Sequence, residues 1–230
     1  MKSKTFILVF LVIFLLTACS NSNESVEPTD AYPVMIETEE SDVGYPIEPE
    51  VELPPSAYPI SEAYPVTDLE DDAAQVIQAL AVKDLEKVAE FVHPGMGVRF
   101  SPYAFVSEDH QVFMPDELPG LVGLGEVYVW GAYDGTGEPI ELTFDAYFDQ
   151  FVYSSDFANP EQVGVNERIG QGNSINNLAA FYPGGFFVEY HFSGFDAQYE
   201  GMDWQSLRLV FLQEGEDWYL AGIVHDQWTI

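Results

Sequence analysis

Hydrophobic positions are distributed differently in successive parts of the chain, and each part predicts its own structure. An unbroken apolar run covers Phe6 to Leu16, and a polar, proline-rich stretch then extends to about residue 68. Beyond it, Val76, Ile77, Leu80 and Ala81 share one helical face. Leu85, Val88, Ala89 and Val92 share another after the polar step Lys83-Asp84, which predicts two short helices or one bent helix. The phrase "HPGMG", from His93 to Gly97, supplies the proline and glycines that end the helical pattern. "EVYVWGAY" at 126–133 and "PIELTF" around an Asp-Gly turn predict a strand hairpin, and 143–152 returns to helical spacing. "GNSINN" reads as loop, followed by strands at 186–192, 206–212 and 217–228, the last two joined by a hairpin at Glu214-Gly215-Glu216. The expectation is an α+β domain over residues 69–230, with N-terminal helices packed on one curved, mainly antiparallel sheet.

The N-terminal apolar run follows Lys2 and Lys4 and is shorter than the roughly 20 residues a membrane span needs, which predicts a secretory signal peptide over 1–18. Leu16-Thr17-Ala18-Cys19 resembles the bacterial lipobox. The resemblance implies cleavage before Cys19, a lipid on its sulfur, and attachment to the extracytoplasmic face of a cell membrane. Cys19 is the only cysteine, so neither an internal disulfide nor a thiol-based site is expected in the folded part.

Residues 19–68 are acidic and repeat the phrases "AYPV", "GYPI", "AYPI" and "AYPV". Proline after each tyrosine favours extended backbone, and carboxylates without counter-charge repel one another, so a disordered tether is expected. About 50 residues would reach roughly 40 Å if flexible and up to about 160 Å if extended. The Tyr-Pro phrases could alternatively dock in an aromatic-lined groove of a partner.

The formal net charge is −32, and beyond the tether the bases are Lys83, Lys87, Arg99, Arg168 and Arg208 alone. Binding to nucleic acid phosphates is therefore not expected. No cofactor or metal is expected either. Asp134, Glu138 and Glu141 lack the ligand alternation of a calcium loop, and the glycines at 170–177 neither follow a strand nor open a helix. His93 is expected to cap a helix end, His110 to lie in a loop, and Arg99 to pair with a carboxylate under the helices.

Strand alternation orders the remaining candidates. His225 and Asp226 must point to opposite faces, which sets Tyr219, Ala221, Ile223, His225 and Gln227 against Trp218, Leu220, Gly222, Val224, Asp226 and Trp228. If Glu189, His191, Arg208 and His225 share one face, they combine an acid, two groups that titrate near neutrality and a fixed cation. His225, Glu189 and His191 are then the catalytic candidates, and Arg208, Arg99, Tyr190 and Trp228 the ligand-binding candidates. The competing expectation is an ion-paired patch on the outer, solvated or dimer-forming side of the sheet.

"ALAVKDLEKVAEFVHPGMGVRF", residues 79–100, resembles the opening of the nuclear-transport-factor-2-like (SnoaL-like) superfamily, with its helix, break before Asp-Leu, second helix and His-Pro leading into the sheet. The resemblance implies a curved sheet closed by helices around a conical cavity that serves catalysis or binding. No motif matches the catalytic residues of enzymes in that superfamily. The expectation is a lipid-anchored, non-catalytic extracytoplasmic binding module for an unknown protein or small molecule. A homodimer through the sheet is possible on this reading, and the alternative is a small cavity enzyme with isomerase- or dehydratase-like acid/base chemistry.

Overall fold

In the computed structural model, the first helix, α1 (Val66–Ala81), is amphipathic, burying Leu69, Ala73, Val76, Ile77 and Leu80 at intervals of three and four. The structure describes residues 66–229. The expected signal peptide, the lipidation site Cys19 and nearly all of the expected tether lie outside the described residues.

Lys83 ends the first helical turn sequence with a left-handed backbone, φ 54°, and Asp84 then caps α2 (Leu85–Ala89) by accepting a hydrogen bond from the Lys87 amide. This explains the break before Asp-Leu. The expected helix cap at His93 is not formed, since Glu90 is the C-cap of α2; His93 Nδ1 instead accepts from the amides of Gly95 and Met96 and shapes the turn that follows. Gly97 follows at φ 68°, where a Cβ would stand 2.5 Å from the Phe113 carbonyl oxygen, so only glycine fits the turn into the sheet.

Six strands form the main sheet: β1 (Val98–Ser101), β2 (Val112–Phe113), β5 (Gln162–Val165), β6 (Phe186–Phe192), β7 (Gln205–Glu214) and β8 (Asp217–Gln227). Their spatial order is β2-β1-β8-β7-β6-β5, antiparallel throughout except that β1 runs parallel to β8. A separate hairpin of β3 (Val127–Ala132) and β4 (Pro139–Thr143) precedes α3 (Phe144–Tyr147), which continues as a wider π turn over Phe148–Val152. A one-turn helix, α4 (Leu178–Phe181), lies before β6. The fold class is α+β with a mainly antiparallel sheet.

Both faces of this sheet are covered. On one side Val188, Tyr190, Leu207, Leu209 and Ile223 join the buried residues of α1, α2 and α3 in the main core. Aromatic rings fill its centre: Trp130 of the hairpin stacks on Tyr147 at 3.8 Å between centroids, with Phe100, Phe113 and Phe144 edge-on or tilted around them. On the other side Phe187, Val210, Ala221 and Val224 pack with Val106, Leu178 and Tyr182 in a smaller cluster.

The expected face assignment for β8 needs one correction. Pairing runs Gly222 to Val210 but Leu220 to Phe211, so Ala221 is an extra residue in a bulge. The expected alternation holds from Gly222 onward and is reversed at Ala221 and before it, which places Ala221 with Val224 in the smaller cluster and Leu220 with Ile223 in the main core. Gly222 permits this, since a Cβ there would meet the Tyr182 hydroxyl at 2.8 Å.

Candidate functional site

The register between β6, β7 and β8 decides which polar residues meet. Glu189 pairs with Arg208, His191 with Ser206, and Ser206 with Asp226, so these five side chains share the face opposite the main core. His225 is opposite Leu207 and points the other way. Strand alternation had grouped His225 with Glu189, His191 and Arg208; Asp226 occupies that place instead.

The group is paired chiefly within itself, with Arg208 Nη1 and Asp226 Oδ1 left without a hydrogen-bond partner among the described residues. Arg208 donates from Nε to Glu189 Oε2 at 2.8 Å and from Nη2 to Glu189 Oε1 at 3.2 Å, a two-pronged pair. The same Nη2 donates to the Gly170 carbonyl at 3.1 Å and lies 2.9 Å from Asp226 Oδ2, an ionic contact rather than a well-directed hydrogen bond. Ser206 donates its hydroxyl to Glu189 at 2.6 Å, the amides of Ile169 and Gly170 donate to the same carboxylate, and His191 Nδ1 lies 2.8 Å from the Ser206 hydroxyl. Arg168 adds a second cation 3.5 Å from Asp226.

Burial and charge set the protonation states here. Burial pushes the Glu189 carboxyl up, but the Arg208 charge and the hydrogen bonds from Arg208, Ser206 and Gly170 outweigh it and hold the group below its usual range. For Asp226 burial wins over the pull of Arg208, and the carboxyl is pushed up. His191 is lowered, chiefly by burial, against the opposing pull of Glu189 and Glu161.

The expected solvated patch is instead sealed. Glu189, Ser206, Arg208 and Asp226 are fully buried, beneath the segment around Gly170 and the Trp204 ring. A Cβ on Gly170 would stand 2.5 Å from both the Ser206 hydroxyl and the Trp204 ring, so the cover lies flat on the network. Such an arrangement is suited to holding the cover on the sheet, with its charges already committed to one another.

The remaining candidates are dispersed. His225 is buried in the main core, edge-on to Phe151 and Phe157, with Nε2 3.2 Å from the Gln227 side-chain oxygen. Burial lowers its pKa to about 4, so it is neutral at physiological pH. Tyr190 is buried in the same core, while Trp228 is half exposed beyond the end of β8. Among the described residues Arg99 makes no carboxylate pair. Its guanidinium donates to the carbonyls of Ser107, Glu108 and His110 and lies 5.2 Å over the Phe181 ring, fastening the loop after β1. The expected loop position of His110 holds, and the residue is half-buried with Nδ1 3.0 Å from the Ser101 hydroxyl.

A concavity lies away from the Glu189-Arg208-Asp226 network, His225, Tyr190 and Trp228, and has His110 in its lining. A cleft of about 1090 Å³ opens between the loop after β1, the β3–β4 hairpin and the segment Asn173–Ile175. Tyr103, Phe105, Val129, Tyr133 and Ile175 supply its apolar lining, and Ser107, Asp109, Asp134, Thr136, Asn173 and Ser174 its polar groups. Asp134, from the hairpin turn, accepts hydrogen bonds from Ser174 and Thr229 and thereby ties two of the walls, the hairpin and the Asn173–Ile175 segment, to the residues after β8. Strand and loop patterning did not indicate this site, because its walls come from three separated stretches. The only local signal was the glycine-rich turn 134–137.

Among the described residues no cluster of His, Cys, Asp or Glu is arranged to hold a metal, and no helix is long and apolar enough to cross a membrane. No known family, curated protein or solved structure matches the chain.

Proposed function

We propose that the protein is a non-catalytic binding module, lipid-anchored through Cys19 on the extracytoplasmic face of a cell membrane, with the cleft as its recognition surface. The observation that carries this reading is a contrast. The concavity displays apolar side chains to solvent, whereas the titratable candidates are enclosed either in the Glu189-Arg208-Asp226 network or in the aromatic core. A nuclear-transport-factor-2-like architecture accords with the order of helix pair, sheet entry, helix and antiparallel strands, although the space inside the sheet is occupied by Trp130, Tyr147 and their neighbours. The acid/base alternative has less support, since a substrate would have to reach His225 through buried Phe151 and Phe157. A homodimer would need a surface other than an open sheet face.

The anchor is supported by the lipobox-like phrase and the apolar run before it. Growth with an alkyne-tagged fatty acid should label the wild-type chain and leave Cys19→Ser unlabelled; equal labelling would remove the anchor from the proposal. Recognition at the cleft is tested by Phe105→Ser, which should weaken binding of any ligand found for the full chain by about tenfold while leaving its circular dichroism unchanged.

A further inference from the structure

We infer that the cleft receives a cationic peptide segment, a lysine or arginine flanked by apolar residues, presented by another protein. This rests on the cleft being the recognition surface and adds the chemistry of its occupant.

Charge is the first argument. Every base of the described domain is committed internally: Lys83 to Asp145 and Asp149, Lys87 to Glu90, Arg99 to three carbonyls, Arg168 to Gly170 and Asp226, and Arg208 to Glu189 and Asp226. The cleft contains Asp109 and Asp134 and no Lys or Arg. Asp134 is held ionised, chiefly by its hydrogen bond from Thr229, and burial keeps His110 neutral down to a pKa of about 4. An anionic ligand would therefore meet like charge in the lining, and a cation finds carboxylates with no Lys or Arg among the lining residues, Arg99 behind the wall being occupied by the carbonyls of Ser107, Glu108 and His110.

The lining gives the second argument. Phe105 is 50% exposed, Val129 50% and Ile175 73%, apolar surface that a hydrated amine alone would leave wet. Tyr103 and Tyr133 also line the cleft, each braced against Phe151 at 5.7 and 6.4 Å, and rings of this kind attract ammonium and guanidinium groups. The volume, about 1090 Å³, reaches the upper end of small-molecule pockets and suits several residues of chain. Long basic side chains match the mixture, because their stems are apolar and their heads charged.

The test uses the full chain in neutral phosphatidylcholine vesicles and a dye-labelled hexapeptide of alternating leucine and arginine, read by fluorescence anisotropy against vesicles alone. Saturable binding is expected. Phe105→Ser, which changes no charge, and Asp109→Asn should each weaken it by about tenfold, while Glu86→Gln, which removes one charge outside the cleft, should leave it unchanged. Undiminished binding in Phe105→Ser would mean that the acidic surface attracts the peptide without a site, which overturns the inference. If instead a leucine-serine peptide or a neutral oligosaccharide binds as tightly and is lost in Phe105→Ser, the cleft remains the recognition surface and the cationic class is wrong. If no probe gives binding sensitive to Phe105→Ser, the cleft reading falls as well.

Discussion

Glu189 of β6 and Arg208 of β7 stand directly opposite one another, wholly buried, with the guanidinium Nε 2.8 Å from the carboxylate. A pair removed from water in this way is costly to break, because either partner alone becomes an uncompensated buried charge. Arg208→Met should therefore lower unfolding free energy by about 3–5 kcal/mol. Adding Glu189→Gln should recover part of the loss. Urea unfolding of both variants measures this, and equal stability of the single and double variants would argue against an energetic pairing.

His225 makes a pH prediction whose sign follows from its surroundings. Its pKa is about 4 in the fold, lowered chiefly by burial, against 6.5 for a free histidine. The unfolded chain thus binds a proton that the folded chain does not, so stability is complete above about pH 6.5 and falls as pH drops toward about 4. The contribution approaches about 1.4 kcal/mol per pH unit in mid-window. His225→Gln should flatten the stability profile by that amount, leaving the slope from His110 and His191, which are lowered in the same sense. The slope is the readout, since the variant's absolute stability also reflects altered packing; an unchanged slope would place His225 in solvent contact.

Gly170 tests the cover over the buried network. Alanine there must displace the Ser206 hydroxyl or the Trp204 ring, each 2.5 Å from the new Cβ, at a cost of about 1–3 kcal/mol. Gly120→Ala, where a Cβ meets nothing within 4 Å, should stay within about 0.5 kcal/mol of wild type. Chemical denaturation separates the two. Similar stabilities would show that the 168–172 segment is not tightly seated on the sheet.

These results also show what kinds of information a single chain carries. Local periodicity revealed α1, α2, the β3–β4 hairpin and strands β6 to β8, because each is defined by spacing within its own residues. Cross-strand pairing of Glu189 with Arg208 was accessible for the same reason, as alternation places both away from the apolar faces. The orientation of Leu220 was not, since a bulge at Ala221 leaves no mark except Gly222, whose need arises from a distant Tyr182. Short β1, β2 and β5 depend on non-local partners, β1 on a parallel pairing with β8 at the far end of the domain. The burial of Glu189 and Arg208 likewise depends on Gly170 and Trp204, neither of which has a local pattern that announces a cover.

The last prediction concerns the walls of the cleft. Asp134 lies in the turn between β3 and β4, and its Oδ2 accepts hydrogen bonds from Thr229 and Ser174, linking the hairpin to two segments remote in sequence. The Thr229 bond is the main reason its carboxyl is held below the usual range. This contribution is consequently present above the unfolded carboxylate pKa, near pH 4, and is lost as pH falls through the lower folded value. Thr229→Val removes the donor with little change of shape and should cost about 1 kcal/mol locally. At neutral pH, deuterium exchange over residues 133–138 and 173–175 should then accelerate about fivefold, with β6 and β7 unaffected. Acceleration throughout the sheet would mean that the contact supports the whole domain, and no acceleration would mean that the hairpin is positioned without it.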